Sequence, residues 1–285
     1  MTSNPAPASA PRVLASGFAY VESARWHDGR LWFAHWGTDE IVAIGMDGST
    51  EVVGHGPGGL GWSIDWLPDG RLLVTGKGLS RLEPDGSLMP HADLAGLASD
   101  WNELVVDGRG NAYVNGGISF EPGEGDPPGV VALVTPDGAA RLVASGLNFP
   151  NGMVVTPDNR TLIVAESFAG CLSAFDIDAD GSLSNRRVWA GDVGPDGICM
   201  DVDGAVWAQQ FQGNACVRVR EGGEILDRVE LDRSPFSCML GGPDGRTLFI
   251  LAAEWRGVER IEETLADRTG QVLTAEAPAP HAGWP

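Results

Sequence analysis

The stretch Ile64-DWLPDGRLLVT-Gly76 decides the fold. An apolar run turns over Pro-Asp-Gly and comes back as a second apolar run. Proline presets one φ of a tight turn and Asp-Gly supplies the positive φ, so the stretch reads as two antiparallel strands joined by a hairpin. The phrase recurs as Arg25-WHDGRLWFAH-Trp36, Leu104-VVDGRGNAYVN-Gly116, Met153-VVTPDNRTLIVAE-Ser167, Ile198-CMDVDGAVWAQ-Gln210 and Met239-LGGPDGRTLFILA-Ala253. The turn aspartates Asp28, Asp69, Asp107, Asp158, Asp203 and Asp244 stand 41, 38, 51, 45 and 41 residues apart. A second hairpin follows each of the first five copies, starting at Ile41, Leu79, Val130, Leu172 and Ala215. Two hairpins per period of about forty residues give four antiparallel strands, the unit of a propeller blade.

The sequence therefore predicts an all-β fold, a six-bladed β-propeller of four-stranded antiparallel blades. Residues 12–285 are expected to form one domain behind a disordered lead-in over 1–11. The sixth copy is incomplete. Beyond Ala253, residues 256–269 carry little strand pattern, and one apolar strand follows at Gln271-VLTAE-Ala277. Arg12-VLAS-Gly17 resembles Arg141-LVAS-Gly146, the outermost strand of the third blade, so the N-terminal strand is expected to complete the last blade and close the ring.

Composition agrees and narrows the partners. Forty glycines and nineteen prolines among 285 residues exclude a helix bundle. Nineteen basic against thirty-nine acidic residues leave a net charge of −20, with Lys77 the only lysine. Such a surface repels phosphate backbones and anionic bilayers, so nucleic acid and membranes are excluded and a small-molecule substrate is expected. No apolar run is long enough to span a bilayer, and the first residues lack the basic and apolar segments of a signal peptide. Cys171, Cys199, Cys216 and Cys238 show no CxxC spacing and lie in apolar strands. They read as buried free thiols of a cytoplasmic protein, with Cys171–Cys216 or Cys199–Cys238 bridges left open.

In a propeller, the residues just before each blade's first strand converge on the central axis. Here they are Glu22, Ser63, Asn102, Asn151, Asp196 and Ser237. Two carboxylates and two amide oxygens on one axis suit a hard cation. Oxygen-only ligation favours Ca²⁺, then Mg²⁺ or Mn²⁺, with Zn²⁺ less natural. Taken singly, Asn151 and Asp196 would pass as turn formers and Glu22 as a solvated carboxylate. Their equivalent places in separate blades join them into one site.

The stretches Glu22-Ser-Ala-Arg-Trp26, Asn102-Glu103, Asn151-Gly-Met153 and Pro195-Asp-Gly-Ile-Cys199 resemble the blade-opening motifs of the senescence-marker-protein/gluconolactonase/regucalcin-like family of six-bladed propeller lactonases. The ending His281-Ala-Gly-Trp-Pro285 resembles the tails of its bacterial members. The resemblance implies metal-dependent lactone hydrolysis, with Glu22, Asn151 and Asp196 as metal ligands. It makes Asp196 the acid/base group and places Asn102 against water or substrate. It breaks at the third blade, where the family's sugar-lactone hydrolases carry Arg-x-Asn and this chain has Asp100-Trp101-Asn102. Simple aldonolactones are therefore not the expected substrate. Asp100 either faces the ligand or caps a turn.

A divalent cation at such a site would polarise a lactone carbonyl and acidify water. Asp196 would take the water's proton, and Asn102 would donate to the developing oxyanion. A serine-nucleophile route lacks support: there is no Gly-x-Ser-x-Gly, and His27, His35, His55, His91 and His281 sit in no triad pattern. The expected substrate wall comprises the second-strand ends His35-Trp36, Glu166-Ser167, Gln209-Gln210-Phe211 and Glu254-Trp255, with Trp62, Asp100 and Trp101 from the entry loops of the same face. The insertion Gly117-ISFEPGEGDPP-Gly129 falls on that face, as a lid or as tolerated loop length. Two other readings stand beside the hydrolase: a metal-dependent isomerase, cyclase or hydratase on the same scaffold, and a non-enzymatic binding propeller.

Overall fold

The computed structural model describes residues 8–117 and 128–285. Strand β1 (Arg12–Phe18) precedes a first sheet of β2 (Val21–His27), β3 (Arg30–His35), β4 (Glu40–Ile44) and β5 (Thr50–His55). The second sheet holds β6 (Ile64–Trp66), β7 (Leu72–Thr75), β8 (Leu79–Leu82) and β9 (Leu88–Ala92). The third holds β10 (Leu104–Val106), β11 (Ala112–Gly116), β12 (Gly129–Val134) and β13 (Ala140–Leu147). The fourth holds β14 (Pro150–Val155), β15 (Thr161–Glu166), β16 (Cys171–Ile177) and β17 (Leu183–Ala190). The fifth begins with β18 (Ile198–Asp201), β19 (Val206–Gln210), β20 (Ala215–Val219) and β21 (Ile225–Glu230). In the sixth, β22 (Ser234–Gly241) and β23 (Thr247–Ala253) are followed by a short helix, α1 (Ile261–Ala266), and then by β24 (Gly270–Glu276). These six antiparallel sheets are the blades of a six-bladed propeller.

β1 pairs with β24, Arg12 opposite Thr274 and Phe18 opposite Gly270, so the two ends of the chain share the sixth blade. The ring is closed as the sequence predicts, the N-terminal strand completing the last blade. Of the expected lead-in, residues 1–7 lie outside the described residues. The Ala8 N–H donates to Asp227 at 2.6 Å and the Ser9 N–H to the Glu276 carbonyl at 3.1 Å. Most of the expected lid, residues 118–127, also lies outside them.

The repeated turns work through their aspartates. Asp69, Asp107, Asp158 and Asp244 each accept the backbone N–H two residues on, at 2.9–3.2 Å, which fixes each hairpin locally. Packing between blades supplies the larger stabilisation. Phe33 of blade 1 and Phe249 of blade 6 share one apolar cluster, while Tyr113 of blade 3 and Val164 of blade 4 share another. Each large side chain so buried contributes roughly 1.5–3 kcal/mol. Tryptophans lie against glycines: a Cβ at Gly56, Gly116 or Gly241 would meet the ring of Trp62, Trp101 or Trp26 at 2.5, 2.8 and 2.4 Å.

The C-terminal tail adds a fifth strand to blade 5. β25 (His281–Ala282) pairs with the end of β18, and Trp284 exchanges both backbone hydrogen bonds with Val155 of blade 4 at 2.8 and 3.0 Å. The tail thus stitches two blades at the opposite end of their inner strands from Asn151 and Asp196. The four cysteines are free, and the Cys199 and Cys238 sulfurs lie 3.7 Å apart in the packing of blades 5 and 6. Among the described residues no helix is long and apolar enough to cross a membrane.

Candidate active site

The inner strands begin around one axial cavity of about 260 Å³. Its polar lining is Glu22 from blade 1, Asn102 from blade 3, Asn151 from blade 4 and Asp196 from blade 5, with Ser167 beside them. All four residues expected to carry the chemistry are therefore brought together. Three of them are fixed through backbone groups. Thr75 Oγ1 donates to the Asn102 carbonyl at 2.6 Å, Asn115 Nδ2 to the Asn151 carbonyl at 2.6 Å, and the Asp196 N–H to the Gln209 carbonyl at 2.9 Å.

The electrostatics are those of a site awaiting positive charge. Burial, then the neighbouring Asp196 and Glu103 carboxylates, hold the Glu22 carboxyl well above its ordinary pKa. Burial and then Glu103 raise Asp196 in the same way, and a hydrogen bond with the Asn151 side chain opposes the rise. The Ser23 N–H donates to Glu22 Oε2 at 2.9 Å, whereas Asp196 Oδ1 is buried with no hydrogen-bond partner among the described residues. An orphaned carboxylate oxygen beside a second buried carboxylate is costly unless a cation joins them. Among the described residues no three His, Cys, Asp or Glu side chains are grouped to hold a metal. The expected donors are of another composition, two carboxylates and an amide oxygen, and the orphaned Asp196 oxygen fits them to a hard divalent cation.

Around this floor the walls are aromatic. Tyr20 stacks on Trp36 at 5.2 Å and meets Phe236 at 4.5 Å and Trp255 at 6.0 Å. Phe149 stacks on Phe168 at 4.4 Å, and Val258 completes the rim. Of the expected wall, Trp36, Ser167 and Trp255 line this cavity and the other described side chains lie elsewhere. Trp62, Asp100 and Trp101 line a neighbouring cavity of about 530 Å³ together with Lys77, and both indoles are almost wholly buried. His35 is buried, which lowers its pKa; its Nε2 accepts the Ala19 N–H at 2.9 Å while Nδ1 meets Thr38 Oγ1 at 2.8 Å. Glu166 is tied to Arg186 at 2.7 Å and to the Asn148 N–H, Gln209 donates to Cys216 Sγ at 3.0 Å, and exposed Glu254 pairs with Arg256. In three of these pairs the cavity takes the next residue along: Trp36, Ser167 and Trp255.

Sequence reasoning also missed the charged group at the inner strands. Buried Arg25 donates to Glu103 at 3.2 Å, to the Leu104 carbonyl at 2.7 Å and to the Ala24 carbonyl at 2.9 Å, with Asp65 4.0 Å from its Nε. Charged residues within otherwise apolar inner strands were the available signal.

The sequence pattern described as the SMP-30/Gluconolactonase/LRE-like region matches residues 20–254. The chain belongs to the SMP-30/gluconolactonase/LRE-like family. Among curated members it is similar to the 6-deoxy-6-sulfogluconolactonase of Pseudomonas putida, 30% identical over 175 residues, which covers 59% of this chain and 58% of that one. The matched stretch is thus less than two thirds of that relative's length. Among solved structures, a luciferin-regenerating enzyme superposes with a TM-score of 0.79 at 18% identity, covering 96% of this chain and 98% of its own. A calcium-binding regucalcin from Agrobacterium tumefaciens does so at 0.74 and 18%, covering 96% and 97%. At such identities the two structures speak for the fold alone.

Proposed function

We propose that this chain is a divalent-cation-dependent hydrolase that opens lactones whose ring is apolar, with residues 12–285 acting as one propeller unit. The observation that carries the reading is the pairing of buried Glu22 and Asp196, the latter with an unpartnered oxygen, beneath a cavity walled by Tyr20, Trp36, Phe149, Phe168, Phe236 and Trp255. Glu22, Asn151 and Asp196 hold the cation. Their oxygen-only chemistry favours Ca²⁺, in line with the calcium-binding regucalcin of the same fold. When bound, the cation polarises the lactone carbonyl and acidifies water.

The chain's own residues do the rest. Asp196 accepts the proton of the attacking water and returns it to the ring oxygen as that oxygen leaves. The Asn102 amide donates to the carbonyl oxygen as it gains charge. The aromatic walls seat the ring and keep bulk water from competing. A polyhydroxylated aldonolactone would need many hydrogen-bond partners, and these walls are built of rings.

Chelator-treated protein is titrated with Ca²⁺, Mn²⁺ and Zn²⁺ while proton release reports opening of γ- and δ-lactones. The expected result is cation-dependent turnover, faster on alkyl-substituted lactones than on gluconolactone and lost in Asp196→Ala. Turnover without any cation, or gluconolactone as the best substrate, would contradict the reading. Ring opening by elimination, with no hydroxy acid formed, would replace hydrolysis by a lyase reaction.

A further inference from the structure

The axial cavity is smaller than the roughly 300–1,000 Å³ usual for small-molecule sites. A second cleft of about 560 Å³ lies against it, between the ends of blades 4 and 5. The two share Ser167 and Phe168. Phe168 follows β15, leans on Phe149, and remains 49% exposed, a large apolar ring left in water at the boundary between the two spaces. The Ser167 hydroxyl oxygen at the same boundary is buried and has no hydrogen-bond partner among the described residues. An exposed aromatic ring and an unpartnered hydroxyl side by side are what a ligand crossing between the two spaces would cover.

We infer that the blade 4–5 cleft is a second subsite of the same binding site, and that the substrate is a lactone carrying an extended polar arm that is neutral or cationic. The inference rests on the lactone reading and adds the substrate's shape. The ring lies on the axial side of Phe168, the arm crosses its exposed face, and the Ser167 hydroxyl meets the arm's first polar atom. The cleft is also lined by Asp192, Val193, Gly194 and Gln212 and by Ala169 and Gly170; the Gly170 carbonyl accepts the Val193 and Gly194 N–H groups at 2.8 and 3.1 Å. Gln210 is held by its own contacts, donating to the Val193 carbonyl at 2.6 Å and accepting from Arg228 at 2.7 Å. Among the described lining residues there is one carboxylate, Asp192, and no basic side chain; Arg228, which reaches the Gln210 side chain and the Gly213 carbonyl from outside, is paired with Glu230. On a chain of net charge −20 this disfavours an anionic arm.

The test uses the full chain with added Ca²⁺ and a δ-lactone series on one ring: methyl, 6-hydroxyhexyl, 6-ammoniohexyl and 5-carboxypentyl. The expected result is a kcat/KM about tenfold higher for the hydroxyl and ammonium arms than for methyl, with no gain for the carboxylate. Ala169→Trp, which puts a large ring into the lining of the cleft, is expected to bring the arm-to-methyl ratio toward one. Equal kcat/KM for all arms in the wild type, or a ratio unchanged in Ala169→Trp, overturns the subsite. Calorimetry with the corresponding δ-lactams separates this from failure of the hydrolase reading. If no lactone is opened, tighter binding of the hydroxyhexyl than the methyl lactam, lost in Ala169→Trp, still supports the subsite. Equal or absent binding of the two lactams overturns it.

Discussion

The hydroxyl of Ser63 accepts the backbone N–H of Leu104 at 3.1 Å, tying the start of blade 2 to the inner strand of blade 3. The same bond recurs from Ser23 to the Ile64 N–H at 2.9 Å and from Ser237 to the Ala24 N–H at 3.0 Å. Ser63 also hydrogen-bonds to Glu103, whose carboxyl is raised by burial; Arg25 and then Ser63 oppose that rise. The residues at the blade starts thus divide by chemistry. Serines hold neighbouring blades together, while carboxylates and amides face the axial cavity.

Ser63→Ala removes an acceptor from a buried N–H and a donor from a buried carboxylate. The expected loss is about 1–3 kcal/mol in urea unfolding, with cation affinity unchanged. A variant as stable as wild type would contradict the latch.

Arg25 is the cation placed between Glu103 and Asp65. Arg25→Met leaves buried carboxylates uncompensated and is expected to cost roughly 3–5 kcal/mol. Adding Glu103→Gln should recover part of that loss. A double variant no more stable than Arg25→Met would show that the pair is not coupled.

Asp196→Asn is expected to separate stability from activity. Burial and then Glu103 raise the Asp196 carboxyl, so above the ordinary carboxylate range it opposes folding; its removal should raise the unfolding midpoint of the cation-free protein at pH 8, while turnover falls roughly a hundred- to ten-thousand-fold. A cation-free midpoint at or below that of the wild type would contradict the raised Asp196 carboxyl.

Burial pushes Asp65 up to about 6 from 3.8, against the pull of Arg25 and two backbone N–H donors. The folded state therefore holds this proton more tightly than the unfolded chain. Its stabilising contribution is full below about pH 4 and is lost as pH rises through 6, at about 1.4 kcal/mol per pH unit between those limits. Denaturant midpoints between pH 4 and 7 should fall more steeply for wild type than for Asp65→Asn. Parallel curves would contradict the raised Asp65 carboxyl.

The fold was legible because it is written in turns. Asp69 and Asp244 act within their own hairpins, so repeated local chemistry reveals repeated architecture. Glu22, Asn102, Asn151 and Asp196 were legible because strand starts in a propeller converge whatever the loops do. The wall was harder to read. His35 and Trp36, Glu166 and Ser167, or Glu254 and Trp255 are adjacent, and adjacent residues at a strand end point opposite ways. Which one meets the cavity depends on where each strand stops, and sequence alone leaves that uncertain by a residue. Trp62 and Trp101 were drawn inward by Gly56 and Gly116, a pairing visible only when the blades are packed.

The most direct test of the central claim is calorimetric titration of Ca²⁺ into chelator-treated protein at pH 7, repeated with Glu22→Gln and Asp196→Asn. The account predicts one cation per chain in the wild type, with affinity sharply reduced in both variants. No binding of Ca²⁺, Mn²⁺ or Zn²⁺, or binding that survives both substitutions, would contradict it.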